Sequence, residues 1–205
     1  MANLDPYLVL LLIASVFILV FGGLSFLRRE GLSAQFALEA VLLTAVLVGG
    51  SWLLNIQPNP FLFLILLYLV TMRSRLAVDV ANVLVRRGKY DLAFRLYDLS
   101  LAWWPDLSAR LIVLINRGAA ELRSGQVESA ISTLESVLEV EKRPRLGLKY
   151  EAACRYNLAY AYEKDGQDAR AVAEYNEVID LMPGSLYAQA SQAALTRRKR
   201  RNLGN

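Results

Sequence analysis

Histidine is absent from all 205 residues, and cysteine occurs once, as Cys154. Without histidine the chain lacks the commonest general base and a frequent metal ligand. A lone cysteine excludes an internal disulfide and fits a reducing compartment; with no histidine to activate it, it is expected to pack on a helix face. No Gly-rich phosphate loop, H-E-x-x-H helix or G-x-S-x-G elbow is present either. No enzymatic activity, catalytic residue, metal or cofactor is therefore expected. Charge is also missing from the first third, where residues 1–72 carry only Asp5, Arg28, Arg29, Glu30 and Glu39. Of the chain's 23 basic and 19 acidic residues, that leaves 21 and 16 for the remainder. A lipid-facing part and a water-facing part are expected to meet near residue 72.

Residues 7–27, YLVLLLIASVFILVFGGLSFL, form an unbroken apolar or small run that as a helix measures about 30 Å, enough to cross a bilayer. A cleaved signal peptide is the competing interpretation, but no basic residue precedes the run and no A-x-A site follows it. Residues 34–56 make a second span with one charge, Glu39, near enough to its start to reach the headgroups. The third run, 60–72, is short, and a span over 60–76 requires Arg73 and Arg75 to snorkel; a re-entrant segment is the alternative. Arg28 and Arg29 lie between the first two spans, the 57–60 loop has no cation, and Arg73, Arg75, Arg86 and Arg87 follow the third. The positive-inside rule then places the N-terminus outside and the rest in the cytoplasm. Ala45 and Gly49 give a small-xxx-small spacing that permits close helix approach. With no Pro or Gly between 61 and 87, a single stiff helix is expected to leave the membrane and enter the soluble part.

Within residues 151–184, Asn157-Leu158-Ala159, Tyr162, Gly166, Ala171, Tyr175 and Pro183 are spaced as in two packed helices: small residues where backbones approach, tyrosines between turns, glycine at the turn. The same template fits 41 residues upstream at Asn116, Gly118, Gly125, Ala130, Leu134 and Val137, with Arg117 and Glu121 in place of apolar and aromatic residues. It fits again 37 residues before that, at Val80, Ala81, Leu84, Gly88, Tyr90, Ala93, Tyr97 and Pro105. The pattern resembles the tetratricopeptide repeat (TPR), a 34-residue unit with L-G-x2-Y, A-x3-F or Y, and P. Arg155 stands where the family often has Trp, and Val178 where a small residue is usual. The expected fold is all-α: a three-helix transmembrane anchor over 1–72, three TPR-like repeats at about 73–106, 110–144 and 151–184, and a capping helix with basic tail over 185–205. Leu186, Ala190, Ala193 and Ala194 mark the expected inner face of the cap.

The resemblance implies a concave face lined by the first helix of each repeat. Carried over, its positions are Arg75, Val78, Asn82, Val85 and Arg86, then Ile112, Ile115, Ala119, Leu122 and Arg123, then Ala153, Tyr156, Tyr160, Glu163 and Lys164. Relatives that clamp the acidic C-terminus of heat-shock chaperones want polar groups where Val78, Ile115 and Tyr156 stand, so an amphipathic helix or extended apolar segment of a protein is the expected ligand. The resemblance further implies a noncatalytic, membrane-integrated adaptor in a bacterial plasma membrane or its equivalent. Membrane-bound relatives of this design act as assembly factors. One alternative is an accessory subunit packed against other membrane subunits. Another is an RNA- or ribosome-linked insertion factor using the tail Arg197-Arg198-Lys199-Arg200-Arg201, which carries all the excess positive charge beyond residue 72. Trp103 and Trp104 are expected at the bilayer interface with Arg28, Arg29, Arg73 and Arg75, and the basic insertion 142–149 is expected to face headgroups or solvent.

Overall fold

The computed structural model describes residues 5–27, 34–140 and 147–203, and every regular element within them is an α-helix. In chain order these are α1 (Pro6–Leu27), α2 (Ala34–Leu53), α3 (Pro60–Thr71), α4 (Arg73–Arg86), α5 (Tyr90–Ala102), α6 (Leu107–Ser124), α7 (Val127–Val140), α8 (Leu148–Lys164), α9 (Asp168–Leu181) and α10 (Leu186–Leu203). Arg28, Arg29 and most of the basic insertion 142–149 lie outside the described residues.

The first three helices are apolar around their whole circumference, and only one seam of each is covered. Leu10, Ala14 and Phe17 of α1, Ala40 of α2, and Phe63 and Leu67 of α3 form a small common core, while Leu19, Val46 and Phe61 project outward 69–73% exposed. Such a surface has no stable partner in water. Both α1 and α2 are long and apolar enough to cross a membrane, and α3 with α4 makes a third candidate only as a bent pair. Asn59 starts α3 by accepting from the Phe61 and Leu62 amides, with Pro60 following at the first helical position. The Ala45–Gly49 spacing is not a packing seam inside the chain, because Ala45 is exposed and a Cβ on Gly49 would meet nothing within 4 Å.

The expected continuous helix from the third apolar run is broken. It bends by 72° at Met72, where φ and ψ are −102° and 8°. The Met72 amide still reaches Tyr68 O and its carbonyl still accepts from Leu76 N, both at 2.9 Å. What enters the helical ladder is the Arg73 guanidinium, which takes Val70 O at 2.7 Å. A side chain inserted into the ladder bends a helix without proline or glycine.

Beyond the bend the helices pair as α4–α5, α6–α7 and α8–α9. Gly88, Gly125 and Gly166 turn the chain between the members of each pair with φ of 72°, 86° and 79°, a backbone that costs other residues strain. Ala81 and Ala93, and Ala159 and Ala171, are fully covered where paired helices cross. Gly118 does the same for the second pair, because a Cβ there would lie 2.7 Å from Leu134 Cγ. The polar substitutions in that repeat are paired in part: Arg117 bonds Glu121 Oε1 at 3.0 Å and also pairs with Asp98 of the preceding hairpin, while the buried Glu121 Oε2 has no hydrogen-bond partner among the described residues. Arg155, in the usual Trp position, bridges Glu151 and Glu174 at 2.9 and 3.0 Å.

α10 covers the end of the array with a face that overlaps the expected one in part: Ala194 is buried and Ala190 half-buried. Tyr187, Ala188, Ser191, Ala194, Leu195 and Arg198 point inward, while Leu186 is 82% exposed and Ala193 is exposed. An alanine-rich helix offers several stripes at i, i+3 and i+4 spacing, and the large Tyr187 selects among them.

Candidate partner-binding face

The first helices of the three pairs, α4, α6 and α8, pack side by side, and α10 adds a fourth. Their side chains divide into three groups. Val78, Val85 and Ile115 are 3–6% exposed and belong to the core between helices, so they contribute no surface. Polar bonds within the chain hold others. Asn82 donates to Asn116 Oδ1 at 2.9 Å and accepts the Tyr97 hydroxyl at 2.7 Å. Glu163 accepts the Tyr175 hydroxyl at 2.9 Å and faces Arg198 at 3.9 Å. Tyr156 packs its ring against Tyr175 and Tyr187, with centroids 6.0 and 5.8 Å away, and Ala153 is buried.

What reaches solvent is a strip in which Tyr160 is exposed and Ile112, Ala119, Leu122, Asn82 and Tyr156 are half-buried. Arg86, Arg123 and Lys164 stand exposed in the last turns of α4, α6 and α8. Each stabilises its helix C-terminus, and together they line one edge of the strip with cations. Lys164 Nζ lies 5.3 Å from the Tyr160 ring centroid, which leaves that ring's position tied to the basic edge. The face can therefore hold an apolar segment whose margin carries carboxylates.

The basic tail is not a free arm, because α10 runs through it to Leu203. Arg198, 6% exposed, faces inward and pairs with Asp168, whose carboxyl it holds below the ordinary value. Arg197, Lys199, Arg200 and Arg201 stay exposed on the outer side.

A second cluster lies where the apolar bundle meets the first hairpin. Arg73 forms a bidentate pair with Glu39 at 2.5 and 2.8 Å and donates to Trp103 O at 2.9 Å. Gln35 bonds Glu39 at 3.0 Å and Trp104 O at 2.6 Å. Arg75 lines the adjoining cavity of about 270 Å³ with Phe21, Phe36, Tyr68 and Asp106. Trp103 is 39% and Trp104 85% exposed. Glu39, placed at the headgroups on sequence grounds, is thus the anchor of the junction. The signal that would have found it is the coincidence of a lone acid in one apolar run with Arg73 directly ending another.

Residues 73–143 and 153–185 match family models described as tetratricopeptide repeat, together about half of the chain. No curated protein matches it. Three helix pairs, each with a glycine turn and a small residue at the helix crossing, occupy the matched residues, and family models of this kind describe protein-binding scaffolds. The chain belongs to the tetratricopeptide repeat family.

Proposed function

We propose that the protein is a noncatalytic, membrane-anchored adaptor that grips a partner polypeptide on the exposed side of α4, α6 and α8 and holds it beside the cytoplasmic membrane surface, as a factor in assembling a membrane complex. The observation that carries this is the strip of Ile112, Ala119, Leu122 and Tyr160 edged by Arg86, Arg123 and Lys164. An amphipathic helix or extended segment with acidic residues along one side fits both the apolar floor and the basic margin. The apolar bundle supplies the membrane attachment, and the distribution of arginines favours the cytoplasmic side for the repeats.

Photocrosslinking amino acids placed at Ala119 and Tyr160 test the proposal in the native membrane. Both positions are expected to capture the same partner, and Leu122→Asp should abolish both products without changing expression, while a probe at Ser136 on α7 should capture nothing. Capture from Ser136 alone, or none from Ala119 and Tyr160, would remove the face from consideration.

A further inference from the structure

The two ends of the repeat array are finished differently. At the C-terminal end α10 turns mostly Gln, Thr, Arg and Lys outward, as a stacked array in water requires. At the other end, among the described residues, no polar helix covers the α4–α5 hairpin. On α4, Val78 and Asn82 face α6, while Leu76, Val80 and Val83 recur on the opposite side. On α5, Asp98 faces α6 through Arg117, and Leu92, Leu96, Leu99 and Trp103 follow one another at i, i+4, i+7 and i+11 on the side turned away from it. Among the described residues beyond 72, the large apolar side chains left exposed are Val80, Leu92, Leu99, Trp103 and Trp104 on this hairpin, against Leu148, Tyr160 and Leu186 elsewhere.

We infer that this face of the first hairpin lies on the bilayer surface, so that the first repeat is a monotopic membrane element as well as part of the array. The inference rests on the membrane anchoring proposed above. Three observations carry it. The face is continuous with the bundle, since where the hairpin begins and ends Arg73 pairs with Glu39 of α2 while donating to Trp103 O, and the Trp104 carbonyl accepts from Gln35 of α2. The 72° bend sends α4 sideways, so its 14 residues climb only about 6 Å along the α3 axis. With α3 tilted from the bilayer normal by a typical ~20°, α4 runs closer to the membrane plane than to the normal. Finally, Arg87, Lys89 and Arg95 are exposed around the apolar stripe and outnumber Asp79 and Asp91, the exposed acids beside it, so the rim is net cationic where anionic headgroups would meet it. An amphipathic surface with an apolar centre and a cationic rim is what an interfacial helix presents.

The test uses the full chain in single-copy nanodiscs of phosphatidylcholine and phosphatidylglycerol, with Cys154→Ala as background. Single cysteines from Val80→Cys, Leu92→Cys and Leu99→Cys carry a nitrobenzoxadiazole label, and lipids bearing a nitroxide on the acyl chain act as quencher. Leu19→Cys on α1 and Ser136→Cys on α7 are the references. Positions 80, 92 and 99 are expected to lose emission as position 19 does, while position 136 keeps it. Loss at 19 with emission retained at 80, 92 and 99 would overturn the inference and leave the anchor intact, whether the face is bare or covered by protein. Emission retained at 19 as well would overturn the anchor itself, and this inference with it.

Discussion

Gly118 shows how a single missing atom sets the distance between two helices. A Cβ at that position would come within 2.7 and 2.8 Å of Leu134 Cγ and Cδ2, and Leu134 is fully buried with no room to withdraw. Gly118→Ala is expected to cost about 1–3 kcal/mol by overpacking, and Leu134→Val in the same chain should return part of it; thermal unfolding followed by circular dichroism in mild detergent reads both. An unchanged midpoint would mean that α6 and α7 separate freely. The tyrosines make a different contribution. Tyr97, Tyr162 and Tyr175 are buried between helices and donate their hydroxyls to Asn82, Glu135 and Glu163. Burial pushes the Tyr97 hydroxyl up to about 12; for Tyr162 and Tyr175, burial first and then the accepting carboxylates raise it further. The folded chain therefore keeps protons that an unfolded chain releases near pH 10. Their stabilisation is complete below pH 10 and is lost as the pH rises toward and through about 12. Absorbance at 295 nm should show phenolate from these residues appearing together with loss of helicity. Titration of all 10 tyrosines near pH 10 with helicity intact would contradict the buried bonds.

At the scale of elements, the bend at Met72 decides how the array is held. A single stiff helix would have fixed its attitude through the backbone; here Arg73 fixes it through side-chain bonds to Glu39, Val70 O and Trp103 O. Arg73→Ala is expected to broaden the distribution of electron–electron distances between spin labels at Leu19 on α1 and Ser136 on α7. The exchange Glu39→Arg with Arg73→Glu should narrow it again. A distribution in Arg73→Ala as narrow as in the parent chain would assign the bend to packing alone. This break was illegible in the sequence because the usual breakers, Pro and Gly, are absent from 61–87, and the Arg73 side chain that enters the ladder at Val70 O is held by Glu39, 34 residues away. The repeats were legible for the opposite reason: their turns, small crossing residues and tyrosines are local and recur. The inner face of α10 was legible only in part, at Ala194 and Ala190, because alanines fit several stripes and because Arg198, within the basic run 197–201, packs inward against Asp168. Likewise the solvent-facing side of the first helices was legible only in part. Spacing located Val78, Val85 and Ile115 on the first helices, but could not show that neighbouring helices close over them.

For the whole molecule, the Glu39–Arg73 pair bears on sidedness. It sets the end of α3 beside the beginning of α2, so α3 retraces most of the path that α2 takes. If α2 crosses a bilayer, the chain enters the repeats on the side where α1 ends. The difficulty is length: the 12 residues of α3 measure about 18 Å, short of the ~30 Å hydrocarbon thickness. Leu53, Leu54 and Ile56, each at least 56% exposed, extend the apolar band beyond the start of α3, and local thinning of the bilayer can absorb part of the remainder. The connection before α3 should then reach the outer surface although α3 alone does not span. With the basic residues following α3 held inside, Gln57→Cys in a Cys154→Ala background is expected to react with a membrane-impermeant maleimide on intact cells, and Ser136→Cys only after permeabilisation. The opposite pattern would invert the protein in the membrane. Reaction of both positions on intact cells would mean that α3 enters and leaves by the same face, and the repeats would then lie outside.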